Sequence, residues 1–221
     1  MPPTTEFERR LAAQGYTTIA GIDEVGRGCW AGPVVAAAVV FDPLVYTEPS
    51  LVGGIDDSKT LSARQRTTLA AELQRYIRSS AVGWVAAHDV DVLGIMEATR
   101  TAMQQAVFGL RVVPDALLID AVRFPHWPIA QTSLIHGDAR SLSIAAASII
   151  AKVTRDAALE RLDRWQPGYG YARHKGYGTA LHRVALQRHG PTAHHRHTYA
   201  PIRHFHLTGT WAFDATTTPD E

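Results

Sequence analysis

The chain has 221 residues, 46% hydrophobic and 19% charged, with a net charge of +1, which suits one well-buried domain with a smaller appended piece. It carries no apolar run of membrane-spanning length and its start lacks the pattern of a secretory leader, so a cytoplasmic protein with no membrane partner is expected. Its single cysteine, Cys29, excludes an internal disulfide and a multi-cysteine metal site.

Residues 1–13 read as the lead-in to an amphipathic helix. A short apolar run over 17–23 predicts a first strand. Residues 32–41 (GPVVAAAVVF) are apolar throughout, as in a strand buried on both faces. The Gly-rich GRGCWAG between them predicts a hairpin. Residues 42–57 read as a polar loop. Ser62, with Gln65 three positions on, fits a capping box that opens a helix running to about residue 79. A third strand is predicted over 81–87, a second helix over 91–110, a fourth strand over 116–120 and a fifth over 133–136. Residues 142–165 predict a long helix, with Ala145, Ala146 and Ala147 small enough for close approach to another element, ended by Pro167. A Gly/Tyr-rich loop over 168–178 precedes a helix over 179–189, closed by Gly190 and Pro191. The order predicts an α/β fold with a mixed sheet flanked by helices.

The near-zero net charge hides an asymmetry. Residues 151–206 hold ten Lys/Arg against three Asp/Glu, and seven histidines crowd 182–206. This fits either a solvated basic helical face or an electrostatic footprint for a polyanion.

The chemistry most plainly hinted at lies in acids at strand ends. Asp23 and Glu24 follow the first strand, Asp120 the fourth, and Asp138 sits in a Gly-Asp turn before the long helix. Singly, each reads as a turn former or cap; Asp138 in particular could cap a helix. Together on one rim they would repel, and divalent cations would relieve that. All-oxygen ligands favour Mg²⁺ or Mn²⁺, and two such ions about 4 Å apart suit in-line phosphodiester cleavage. Asp23 and Glu24 are adjacent and point to opposite faces in a regular strand, so their convergence predicts that the strand ends or bulges there.

The residues also resemble a known family. GIDEVGRGCWAGPVV (21–35), DDSKTLS (56–62), LLIDA (117–121), GDARSLSIAAASIIAKVTRD (137–156), HKGYGTALH (174–182) and HRHTYAPI (195–202) are similar, in order, to the motifs of ribonuclease HII. The resemblance implies a ribonuclease H-like core over 1–165 and a C-terminal helical substrate-binding part over 166–208; the composition of 209–221 (ATTTPDE at its end) reads as a flexible tail. It implies an endonuclease acting on RNA–DNA hybrids and on single ribonucleotides in duplex DNA. The cut falls 5′ of the ribonucleotide and leaves 3′-hydroxyl and 5′-phosphate ends. A monomer is expected.

By the same resemblance, Asp23, Glu24, Asp120 and Asp138 are the catalytic metal ligands for a two-ion Mg²⁺ or Mn²⁺ site. Gly26, Arg27 and Gly28 read the 2′-hydroxyl, the group that separates RNA from DNA there. Tyr177 packs on the sugar next to the ribonucleotide. Ser58 and Lys59 belong to an element near the scissile region. Lys152 and Asp156 are expected to support the ligands rather than bind an ion. Arg155, Arg173, Lys175 and Arg196 are candidate phosphate contacts.

The sequence departs from the usual motifs at Ala121, where glycine is common, at Cys29 and at HRHTY. None of these removes a carboxylate. Cys29 is expected to be an inert, half-buried thiol. His194, His195 and His197 lie close together but lack a cysteine partner, so a basic, partly protonated surface is expected rather than zinc. Three rivals remain: a hybrid-binding protein without chemistry, a sister enzyme that needs runs of ribonucleotides, and a metal-dependent phosphatase.

Overall fold

The computed structural model describes residues 2–55 and 61–213. Five strands, β1 (Ile19–Val25), β2 (Val34–Phe41), β3 (Ile77–Val85), β4 (Ala116–Asp120) and β5 (Ala130–Leu134), form one mixed sheet in the order β3-β2-β1-β4-β5. β2 runs antiparallel to β1, completing the predicted hairpin, while β4 is parallel to β1 and β5 parallel to β4. Every residue of β2 is buried, as its unbroken apolar run requires. The parallel register sets Ile22 opposite Ile119. Asp23 and Asp120 therefore fall at the same level, at the carboxyl ends of neighbouring strands.

The helices are α1 (Glu6–Ala13), α2 (Leu44–Thr47), α3 (Ala63–Leu73), α4 (Ala87–Leu93), α5 (Ile95–Phe108), α6 (Leu142–Trp165), α7 (Tyr171–His174), α8 (Ala180–His189) and α9 (Ala200–Thr208). Ser62 and Gln65 make the expected capping box at α3. That helix stops at Leu73, short of residue 79, because the chain enters β3 at Ile77. The single helix predicted over 91–110 is two, α4 and α5, parted at Gly94. The loop over 42–57 contains α2 and a 3-10 turn at Pro49–Val52, which bury Val45, Tyr46 and Val52. Among the described residues, no helix is long and apolar enough to cross a membrane.

The chain divides into two compact units. The first comprises residues up to 25, 35–84 and 99–154. Its core packs Ile19, Val39, Phe41, Leu118 and Leu134 of the sheet with Leu11, Leu73 and the alanines 145–147. Here the helix lies on the sheet itself: a Cβ at Gly21 would sit 2.2 Å from the Ser143 carbonyl carbon. The start of α6 is capped by a residue far away in sequence. Ser141 Oγ accepts from Ile144 N–H, while the buried Glu8 accepts from Ser141 Oγ (2.7 Å) and from Ser143 N–H (2.9 Å). Desolvation by burial holds the Glu8 carboxyl above its ordinary value.

The second unit comprises 26–34, 85–98 and the described residues from 155 on. One cluster joins Ala31, Leu159, Tyr169, Tyr171 and Ala185. Another joins Leu186, Ile202 and Trp211, with Trp30, Phe205 and Phe213 against it. The segment just after α9 is thus packed: Trp211 stacks on Phe205 with ring centres 4.2 Å apart.

Candidate active site

Asp23, Glu24 and Asp120 each present a carboxylate oxygen within 4.8 Å of the other two, the one such metal-compatible group among the described residues. The expected bulge is not how they meet. β1 keeps its regular pairing with β2 through Val25 opposite Val35, so there is no bulge at the acids and the β2 side of the strand runs just past them. On the β4 side, however, the pairing stops at Ile22 and Ile119, which opens that edge of β1. Asp23 folds back so that its Oδ1 accepts the Glu24 N–H at 2.8 Å. Asp120 Oδ1 is held by the Gly137 N–H at 2.6 Å. Asp23 is buried, Glu24 and Asp120 half-buried. Burial first, then the charges of Glu24 and Asp120, push the Asp23 carboxyl well above its ordinary value, opposed by a hydrogen bond from Ser148. A cation among these oxygens would reverse that cost.

Asp138 is not a member of this three-carboxylate group. It is half-buried on a 3-10 turn, Gly137–Ala139, directly after the amide that holds Asp120. The helix-cap role considered for it belongs to Ser141. Ser58 and Lys59 lie outside the described residues. Lys152 is half-buried and Asp156 buried on α6.

The 26–34 segment is held by two arginines that the sequence suggested as phosphate contacts. That expectation is corrected: Arg155 and Arg196 are fully buried and donate to backbone carbonyls. Arg155 donates to Pro33 O (2.9 Å), Lys175 O (2.8 Å) and Ala31 O (3.1 Å). Arg196 donates to Gly32 O through two nitrogens and to Arg27 O at 2.7 Å, and Tyr199 Oη donates to the same Arg27 carbonyl at 2.6 Å. Gly26 is buried with φ +93°, and a Cβ there would lie 2.3 Å from Arg155 Nε. Gly28 is exposed and has no heavy atom within 4 Å of a notional Cβ. The Arg27 side chain is half-buried and donates to Met96 Sδ. Lys175 is paired with Glu160 at 2.6 Å, and Arg173 is exposed.

Tyr177 is 41% exposed, and desolvation of its hydroxyl raises its pKa. Cys29 is wholly buried, more than expected, and its thiol donates to Lys175 O at 3.6 Å. Of the three clustered histidines expected to form a basic surface, His194 is exposed and His197 half-buried, but His195 is not at the surface. His182 and His195 are fully buried and His174 nearly so. Desolvation, reinforced by neighbouring histidines, lowers His182 to about 4 and His195 to about 3. No local signal marks these buried rings in the sequence, since their partners lie on separate turns.

The family model for ribonuclease HII matches residues 20–202. A ribonuclease HII of Chloroflexus aggregans is 55% identical over 91% of this chain and 95% of its own length. One from Roseiflexus castenholzii is 56% identical over 91% and 90%. Among solved structures, the ribonuclease H2 of Pyrococcus horikoshii superposes with a TM-score of 0.73 at 25% identity, covering 86% of this chain and 98% of that one.

Proposed function

The chain belongs to the ribonuclease HII family, ribonuclease H hydrolases that act on RNA–DNA hybrids, and from that premise we propose that it also cuts 5′ of single ribonucleotides embedded in duplex DNA by two-cation hydrolysis. The observation that carries this is the meeting of Asp23, Glu24 and Asp120 within 4.8 Å around a buried carboxylate. Hard oxygen donors of this kind suit Mg²⁺ or Mn²⁺. Asp23, Glu24 and Asp120 would hold the ions, with Asp138 completing the set from its adjoining turn. Held there, two such ions would supply Lewis acidity to the scissile phosphate and lower the pKa of an attacking water.

The chain's own residues do the rest. Gly137 N–H aims the Asp120 carboxylate, and the Glu24 N–H fixes that of Asp23. Water oxygen bonds to phosphorus as the bond to the 3′-oxygen of the preceding nucleotide breaks. That oxygen takes a proton, and the phosphate stays on the ribonucleotide. Gly26, Arg27 and Gly28 read the 2′-hydroxyl from the clamped segment, where Gly28 leaves room for a sugar. Tyr177 packs on the adjacent deoxyribose. Lys152 and Asp156 support the ligands, Ser58 and Lys59 belong to the substrate-binding element near the scissile region with Lys59 on a phosphate, and the exposed Arg173 is a candidate phosphate contact. The substrates are RNA–DNA hybrid and ribonucleotide-containing DNA.

The test is to map cuts in a DNA duplex containing one ribonucleotide. A cut immediately 5′ of the ribonucleotide, dependent on Mg²⁺ or Mn²⁺ and lost in chelator, is expected. Metal-independent cutting, or binding without cutting, would overturn the proposal.

A further inference from the structure

We propose that His195 and His182 form a neutral imidazole relay that positions Tyr177 for choosing the cut site, an inference that rests on the role given to Tyr177 above. The hydrogen bonds dictate where each proton sits. Thr192 N–H donates to His195 Nδ1 at 2.9 Å, so that nitrogen is an acceptor and the His195 proton is on Nε2. His195 Nε2 lies 3.1 Å from His182 Nε2, which must accept. The His182 proton is therefore on Nδ1, 3.0 Å from the Tyr177 carbonyl, a group that can only accept. The chain runs one way, from Thr192 N–H through two rings to Tyr177 O. The Tyr171 hydroxyl lies 3.4 Å from His195 Nε2, beside the junction of the two rings.

A third ring fixes the other side of the same loop. His174 stacks on His182 with ring centres 4.1 Å apart and planes 9° apart. Its Nδ1 accepts from Gly176 N–H at 3.0 Å, and its Nε2 faces Tyr169 O at 2.8 Å. Tyr177 is thus pinned at both ends of its backbone. Its N–H donates to His174 O (2.9 Å), and its carbonyl accepts from Thr179 N–H (2.8 Å) and His182 Nδ1. The ring of Tyr177 remains partly exposed while its backbone is held from within by the buried His174 and His182. A histidine kept for bulk alone would not need its tautomer specified from both sides, whereas a positioning residue does.

The experiment uses the full chain on a duplex with one ribonucleotide, with kcat, KM and cut position measured for Tyr177→Ala, His182→Phe, His182→Asn and the double variant Tyr177→Ala/His182→Phe. Thermal midpoints accompany them. Asparagine retains an N–H donor near the position of Nδ1; phenylalanine retains the ring alone. His182→Phe is expected to lower kcat at least about tenfold and to spread the cut position, with His182→Asn recovering to within about threefold. Adding His182→Phe to Tyr177→Ala is expected to cost nothing more, because both act through one group. If Tyr177→Ala is impaired while His182→Phe cuts like the parent, the relay is refuted and the role of Tyr177 stands. Parent-like cutting by Tyr177→Ala overturns both. Should His182→Phe fail to fold, imidazole nitrogen shifts of the parent decide: Nδ1–H at His182 with Nε2–H at His195 is expected, and any other pair of tautomers overturns the relay.

Discussion

Replacing Gly26 with alanine should strike stability before it touches catalysis. A non-glycine residue at φ +93° stores about 1–3 kcal/mol of backbone strain. The new methyl would also lie 2.3 Å from Arg155 Nε and 2.9 Å from its Cδ and Cζ, where carbon contacts settle at about 3.5–4.0 Å. Arg155 cannot swing aside cheaply, being fully buried and bonded to Pro33, Lys175 and Ala31 carbonyls. Losing the Nε bond to Pro33 alone costs about 1.5–3 kcal/mol, because the donor is charged and the acceptor is left buried. The two effects together come to about 2.5–6 kcal/mol, against a total of about 5–15 kcal/mol for a typical protein. Urea unfolding followed by circular dichroism measures this. Gly28→Ala is the matched control: with open space around it, its stability should change by no more than about 0.5 kcal/mol. Its cutting of the single-ribonucleotide duplex should nonetheless fall if that glycine faces the sugar. A loss below about 1 kcal/mol for Gly26→Ala would refute the packing argument.

Two pH dependences of opposite sign follow from the buried groups. His182, lowered to about 4, and His195, lowered to about 3, stay neutral in the fold while the unfolded chain protonates near 6.5. Their contribution is present above pH 6.5 and is lost as pH falls towards 4, by at most about 3 kcal/mol for His182; unfolding free energies of His182→Asn should show a flatter slope between pH 7 and 4. Glu8 is raised, so its contribution is present in acid and is lost as pH climbs through its folded value. Glu8→Gln should therefore flatten the slope on the alkaline side of the ordinary carboxyl value of 4.5, and an unchanged profile would contradict the burial cost assigned to it.

Much of the site was legible because its elements are local. The apolar runs ending in Asp23 and Asp120 announce strand ends, and the capping box at Ser62 announces α3. The clustering itself needed the parallel register of β1 with β4, which no run of residues encodes. Of the two ways for the adjacent acids to meet, the strand ending rather than bulging applies: pairing to β4 stops at Ile22, and Asp23 turns back on the Glu24 amide. Arg155 and Arg196 looked like phosphate ligands because a buried arginine satisfied by carbonyls has no local signature; Arg27, the partner of Arg196, is 169 positions away. The same holds for Glu8, whose two donors belong to the start of α6. Proximity of the histidines in sequence carries no information on their burial or tautomer, which depend on turns folded separately.

The most direct test of the whole account is a Mn²⁺ titration of the parent chain and of folded Asp120→Asn, followed by calorimetry without nucleic acid. Three converging carboxylates predict that the parent binds and that the variant binds at least about tenfold more weakly, with unfolding free energy not reduced. Equal Mn²⁺ affinity in the two proteins would contradict it.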